Sequence, residues 1–334
     1  MNTRLTKIAG TGHYVPERVV TNFDLEKLMD TSDEWIRERT GIRERRFVEP
    51  GTGSSDLGHQ AALAALDEAG WQPDEIEFIV FATLSPDYYF PGDGVLLQNL
   101  LGIDQVGALD VRNQCSGFVY GLSVADALIR CGQYNRILLV GAEVHSTGLN
   151  MSTAGRDTAV LFGDGGGAVC LEVTDGSDGS HLLSHYLHSD GRYAEDLCMR
   201  VPSAKMKPVI SHELVDSDMI YPSMRGREVF KHAVTKFPAV ILEALAAENL
   251  TPEDLALIIP HQANERITEG LRKRIGLPDE RVYSNIARYG NTTAGSIPIA
   301  LSEVVKAGII ERGDLVCLVA FGSGFTWAAS LLRY

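Results

Sequence analysis

The sequence predicts an α/β fold built as two similar halves, each a parallel sheet covered by helices. The first observation is an internal repeat. AALDEAGWQPDEIEFIVFAT at 64–83 and EALAAENLTPEDLALIIPHQ at 243–262 share a helix pattern, a turn containing Pro73 or Pro252, and a short apolar strand. The copies lie 179 residues apart (243 − 64), about half the chain. The second is the alternation of strand and helix patterns, which calls for helical crossovers between parallel strands. The third is size: 334 residues, 45% of them hydrophobic, with 33 glycines and no polar low-complexity tract, are enough for a large core in one or two domains.

The elements follow in order. In the first copy the helix pattern ending near Gly70 leads through Pro73 into the strand EFIVFAT. In DVRNQCSGFVYGL, residues 110–122, an apolar strand gives way to a helix pattern from about Ser116 to Arg130, and RILLVGA at 136–142 is the next strand. In the second copy LALIIPHQ is the strand, a helix pattern runs from about Ala294 to Lys306, and DLVCLVAF at 314–321 follows. Cys115 precedes Val140 by the same spacing as Asn291 precedes Val316, which pairs Cys115 with Asn291 in the duplication. The division falls near residue 175, giving halves 1–175 and 176–334. In such sheets ligands gather beyond the carboxyl ends of the strands. Cys115, His261 and Asn291 all stand at junctions of that kind.

Composition removes several classes of function. A net charge of −14, from 44 acidic against 30 basic side chains, opposes nucleic-acid binding, and an acidic partner would need a local basic patch. MNTRLTKIAGTGHYV lacks the apolar stretch of a signal peptide and no run is long enough to span a bilayer, so a cytoplasmic protein without membrane attachment is expected. The five cysteines show no CxxC spacing and read as free thiols rather than disulfides or a zinc site. Cys131 lies in a helix pattern, and Cys170 and Cys317 in apolar strands, which are structural positions. Cys115 alone opens a helix, where the dipole and unpaired N–H groups are expected to bring a thiol pKa towards neutrality.

Seven stretches then carry a resemblance that covers nearly the whole chain: IAGTGHYVPERVVTN, TSDEWIRERTGIRERR, the Cys115 segment, LFGDGGGAV, HQANERI, YGNTTAGSIPIAL and FGSGFTW. GDGGG alone would be a weak phosphate-loop match. Together the stretches make the chain resemble a β-ketoacyl-acyl-carrier-protein synthase III, a condensing enzyme of the thiolase fold, with duplicated halves layered αβαβα. The resemblance implies initiation of fatty acid biosynthesis. An acyl group passes from acyl-CoA to Cys115 and condenses, with loss of CO₂, with malonyl-acyl-carrier protein. It implies a homodimer and no cofactor beyond the acyl-CoA substrate.

The chemistry explains the residue types. A carrier for an activated acyl group must be both nucleophile and leaving group, which suits the Cys115 thiolate. Decarboxylation leaves an enolate oxygen needing donors in a dry pocket, and an imidazole N–H of His261 with the Asn291 amide can supply them. By the family pattern, backbone N–H groups of Cys115 and Ser323 hold the tetrahedral oxyanion; glycine is common at the Ser323 position, but the donor is main chain. Glycines 322 and 324 fit a turn of unusual φ. By resemblance Trp35, Arg39 and Arg156 line the coenzyme A entrance, where an indole can stack on adenine and guanidinium groups meet phosphates. Phe90 matches a loop that crosses the dimer axis to close the neighbour's acyl pocket. Among the basic residues Arg225, Arg227, Lys231, Arg266, Arg272, Lys273 and Arg274, Arg266 is singled out for carrier-protein docking because it follows His261 closely.

The chain departs from the fatty-acid-initiating pattern before the nucleophile, where Arg112, Asn113 and Gln114 replace small residues. DVRNQCSG and MRGREVF are similar to condensing enzymes of secondary metabolism, including alkylquinolone synthesis, which leaves a long-chain or aromatic starter as the alternative. A non-catalytic scaffold of the same fold is disfavoured by the joint presence of Cys115, His261 and Asn291.

Overall fold

The computed structural model describes residues 4–334. Its first sheet holds β1 (Leu5–Tyr14), β2 (Phe78–Ala82), β3 (Gly107–Val111), β4 (Arg136–Glu143) and β5 (Gly165–Thr174), in the order β1-β5-β4-β2-β3. The second holds β6 (His181–Ser189), β7 (Leu257–Pro260), β8 (Leu315–Gly322) and β9 (Thr326–Arg333), in the order β7-β8-β9-β6. The sheets are mixed rather than parallel. β2, β3 and β4 run parallel, as do β7 and β8, while β5 and β9 return antiparallel beside β4 and β8. Each return strand follows its neighbour without a long helix, so an antiparallel partner is the short connection.

Two helices, α3 (Gly117–Arg130) and α6 (Ser296–Lys306), lie between the sheets. Phe118, Val119, Leu122 and Ile129 of α3 and Ile297, Leu301 and Val304 of α6 share one buried cluster with Leu139 of the first sheet and Leu318 of the second. Apolar residues around nearly the full circumference of α3 are what a helix buried on all sides requires. Outside the first sheet packs α2 (Ser54–Ala69), through Leu57, Ala61 and Ala65 against Phe81 and Val140. Outside the second packs α4 (Gly226–Ala247), through Phe237, Ile241 and Leu245 against Cys317 and Phe321. The layers therefore read αβαβα.

The register identifies the duplication. Phe78 of β2 stands opposite Ile137 of β4, and Leu257 of β7 opposite Val316 of β8, two pairs related by one offset of 179 residues (257 − 78 and 316 − 137). The same offset carries the first residue of α3, Gly117, onto the first residue of α6, Ser296. Cys115 is thus the counterpart of Ala294, and Asn291 that of Arg112. The pairing of Cys115 with Asn291 is corrected by three residues: Val140 matches Val319, not Val316, and the valine-rich strand VCLV conceals the slip. At the edge where β3 lies in the first sheet, the second keeps only a single bridge, Ile258 to Val282.

Candidate active site

Beyond β3 the chain makes one tight turn, Gln114–Ser116, before α3. Gln114 takes φ 47°, the left-handed region that non-glycine residues rarely enter, and this elbow sets Cys115 at the head of the helix. Asn113 donates to Ser116 Oγ at 3.1 Å, bracing the turn, while Arg112 is exposed. Cys115 is 7% exposed. Opposite it, β8 ends at Gly322, where an added Cβ would fall 2.6 Å from Cys115 Cβ and 3.0 Å from Sγ. Gly322 is needed for this close approach rather than for an unusual φ; Gly324, at φ 134°, is the one that needs the freedom of glycine. The backbone N–H groups of Ser323 and of Cys115 both favour a negative charge on the sulfur, as does the Thr293 side chain.

The expected fall of the thiol pKa does not occur. Burial pushes the Cys115 thiol up to about 12, and the Glu143 carboxylate adds to the rise. The three donors, one at the head of α3, one after β8 and one in the turn before α6, offset only part of it, because the sulfur they surround is closed off from water.

The second half brings the partners. His261 follows β7 and is 1% exposed; its Nδ1 lies 2.7 Å from Ser296 Oγ, and its Nε2, also buried, has no hydrogen-bond partner among the described residues. Burial, with a smaller effect of His145, brings its pKa down to about 3, so the imidazole is neutral. Asn291 is fixed by its main chain, which donates to Leu161 O at 2.8 Å and accepts from Gly163 N at 3.1 Å. Its Oδ1 accepts from Thr293 N at 2.9 Å, which leaves the amide N–H₂ as the free end. Cys115, His261 and Asn291 line one cavity of about 650 Å³. Toward its exposed end stand Trp35, Arg39, Arg227 and Arg266, and its walls include Phe230, Phe237 and Phe321.

The remaining expected residues sort by position. Trp35 lies on α1 (Asp33–Thr40), with the Arg39 guanidinium 4.5 Å and that of Arg156 4.9 Å from its ring centroid. Arg156 stacks on Trp35 without lining the cavity, and donates to Asp30 O at 2.6 Å. Arg266 lies in the first turn of α5 (Glu265–Ile275), capped by Asn264, and is exposed at the cavity. Arg272 is not part of a free basic face, since it is held by Glu265 at 2.7 Å. Phe90 lies away from the cavity, 81% exposed beside Tyr88 and Tyr89. GDGGG is no phosphate loop: Asp164 accepts from Val48 N, His145 N and Ser146 N, and the glycines begin β5, with Gly167 against the backbone of Pro298 and Ile299.

Sequence reading missed Glu143, His145, Thr293 and Ser296. Glu143, fully buried, accepts from Ser85 Oγ at 2.6 Å, Thr83 Oγ1 and Leu84 N at 3.1 Å, and Ala294 N at 3.3 Å; burial pushes its carboxyl up to about 7. A signal was available: Glu143 directly follows the apolar run RILLVGA and His145 stands two residues further on, at the strand end where ligands collect.

A buried thiol at a helix start, two backbone donors converging on it, and a neutral histidine and an asparagine on the mirrored half define a condensing acyltransferase of the thiolase fold. Family models described as 3-oxoacyl-[acyl-carrier-protein] synthase III and as its C-terminal region match residues 109–191 and 245–334. A β-ketoacyl-[acyl-carrier-protein] synthase III of Caldanaerobacter subterraneus is 43% identical, over 98% of this chain and 97% of that protein. One of Xanthomonas campestris is 46% identical, over 98% of each. The crystal structure of the Aquifex aeolicus 3-oxoacyl-[acyl-carrier-protein] synthase III, 43% identical, superposes with a TM-score of 0.90 over 98% of this chain and 100% of that one. The chain belongs to the 3-oxoacyl-[acyl-carrier-protein] synthase III family. Among its described residues no helix is long and apolar enough to cross a membrane.

Proposed function

We propose that the protein takes an acyl group from acyl-CoA onto Cys115 and condenses it with malonyl-acyl-carrier protein, giving a 3-oxoacyl-carrier product, CO₂ and free enzyme. The observation that carries this is the convergence of Cys115, His261 and Asn291 at the buried end of one cavity whose open end bears Trp35, Arg39 and Arg266. In the first step Cys115 Sγ attacks the thioester carbonyl, and its proton leaves with the coenzyme A sulfur. The oxyanion is held by the Cys115 and Ser323 N–H groups, both of which favour negative charge at this spot. In the second, malonyl carboxylate departs as CO₂ and the enolate oxygen takes hydrogen bonds from the Asn291 amide and from His261. His261 Nε2, the buried ring nitrogen left without a partner, is the atom free to meet that oxygen, and it does so as a donor in the tautomer that carries the imidazole proton there. The enolate carbon then attacks the acyl carbonyl and expels the Cys115 thiolate, which takes up a proton.

In this reading half 1–175 supplies the nucleophile and half 176–334 the decarboxylating pair. Trp35, Arg39 and Arg156 receive coenzyme A; Arg156 must leave the indole face it covers for adenine to stack there. Arg266 meets the acidic carrier. The exposed aromatics Tyr88, Tyr89 and Phe90, near an edge strand β3 that exposes Leu109, support a homodimer in which Phe90 reaches the partner's acyl pocket. The work is that of a cytoplasmic enzyme needing no cofactor. Incubation with a panel of acyl-CoAs, followed by intact-mass and peptide analysis, tests the reading: an acyl adduct on Cys115 that is discharged by malonyl-carrier is expected. Acylation at another cysteine, or none with any acyl-CoA, would overturn it.

A further inference from the structure

We infer that His145 is a positioning residue for the nucleophile, acting through Thr293: its Nε2–H fixes the Thr293 hydroxyl so that the hydroxyl's own proton points at Cys115 Sγ. The inference rests on the reading of Cys115 as the reacting group and adds to it a residue outside the Cys–His–Asn set.

The geometry begins with Thr293. It occupies the elbow of the second half, at φ 47°, the same value as its counterpart Gln114 one offset earlier. The two elbows, Gln114–Ser116 carrying Cys115 and Thr293–Gly295 carrying Thr293, pack against each other. Each polar group of Thr293 is engaged with the site. Its N–H donates to Asn291 Oδ1 at 2.9 Å, and its carbonyl lies 2.9 Å from the Ser296 Oγ that also meets His261 Nδ1. Its Oγ1 lies 2.8 Å from His145 Nε2, and across the packed elbows the hydroxyl favours the Cys115 thiolate. A left-handed φ at a β-branched residue is costly, and such strain persists where surrounding contacts over-determine it.

His145 is built to hold that contact. Its N–H donates to Asp164 Oδ1 at 2.7 Å, its ring packs on Phe162 with centroids 4.8 Å apart, and it is 8% exposed. Burial brings its pKa down to about 4, so the ring is neutral, with a single N–H to give. The Thr293 hydroxyl has one proton and three neighbours: His145 Nε2, the Cys115 sulfur and, at 3.5 Å, Asn291 Oδ1. When His145 donates to Thr293 Oγ1, the hydroxyl proton is free for sulfur. When His145 offers a lone pair instead, it captures that proton and the sulfur loses a donor. The other ionisable groups at the site are Glu143, which opposes the thiolate, and neutral His261.

The test follows the pH dependence of Cys115 alkylation by iodoacetamide, resolved by peptide mass spectrometry with exposed Cys131 as internal reference. His145→Phe keeps a ring but removes the donor, and should move the Cys115 profile up by about one pH unit, about tenfold less thiolate at a given pH. Thr293→Val should do the same, the double variant should go no further than either single one, and His145→Gln, which restores an N–H, should return part of the shift. Acylation by acyl-CoA should slow in parallel. An unmoved profile in His145→Phe, additive shifts in the double variant, or a His145→Gln profile identical to that of His145→Phe would each overturn the inference. Alkylation does not depend on acyl transfer, so these outcomes stand apart from a failure of Cys115 to carry the acyl group.

Discussion

Replacing Gly322 by alanine probes the contact that brings the two halves together at the nucleophile. The new Cβ would fall 2.6 Å from Cys115 Cβ and 3.0 Å from Sγ. Neither side gives way easily, because Gly322 ends a fully buried strand and Cys115 sits in a turn between β3 and a buried helix. Overpacking of this kind costs about 1–3 kcal/mol. The functional loss should be larger than the stability loss. The backbone that shifts carries the Ser323 N–H, and losing one oxyanion donor slows acyl transfer by about 10²–10³-fold. Single-turnover acylation of Cys115, followed by mass, measures the rate, and a thermal melt measures the stability. Gly191→Ala, where an added methyl meets nothing within 4 Å, is the control. If Gly322→Ala acylated at the wild-type rate with an unchanged melt, the close approach of β8 would have no part in holding the oxyanion.

Cys115→Ala should abolish acyl transfer to the protein while leaving the melting temperature near wild type, as mass spectrometry and a thermal melt would show. Arg266→Glu should raise the KM for malonyl-carrier and leave the acyl-CoA half-reaction nearly unchanged. The wild-type advantage should shrink as salt shortens the Debye length to below about 8 Å, measured from both half-reactions at low and high salt. For His145 the folded pKa of about 4 lies below the ordinary 6.5, so the unfolded chain binds more protons between these values and stability is lost as the pH is lowered through that window. Relative to His145→Phe, wild type should lose about 1.6 kcal/mol between pH 6.5 and pH 5, read from denaturant unfolding of both proteins at each pH.

The duplication was legible because hydrophobic periodicity is set by burial, and both copies bury the same strand between the same layers. Its spacing of 179 residues stands in the sequence (243 − 64), but the register near the nucleophile was misread, since VCLV places a valine at either of two positions three apart; the pairing of Leu257 with Val316 and the helix starts Gly117 and Ser296 decide between them. The antiparallel return of β5 and β9 was equally hidden, because a buried strand has the same apolar run in either direction. That Cys115, His261 and Asn291 would come together in one cavity was legible for a different reason: thiol, imidazole and amide at strand ends are few and chemically distinctive. What surrounds them was not. Thr293 matters through a φ value and a hydroxyl 2.8 Å from His145, and neither can be read from the letters NTTAGS.

The direction of the thiol shift was the other misreading, and it bears on how the site works. A helix start favours a thiolate when water can reach it, yet here the sulfur is enclosed, with the Glu143 carboxylate nearby, and the resting group is the thiol. The same enclosure keeps His261 and His145 neutral, so no fixed cation stands beside the sulfur to stabilise its charge. In the proposed mechanism negative charge appears at the centre only in passing, on the acyl oxygen, on the enolate oxygen and on the departing sulfur. The groups poised for it are neutral donors: N–H groups of Cys115 and Ser323, the Thr293 hydroxyl, an imidazole and an amide. Such donors, already oriented in a dry site, act most strongly where charge develops and need no reorganisation when it does. A permanent cation would instead hold the thiolate in the ground state and lower its nucleophilicity along with its pKa. A high resting pKa and a set of waiting donors are therefore two consequences of one choice, the burial of Cys115 between the elbows of the two halves.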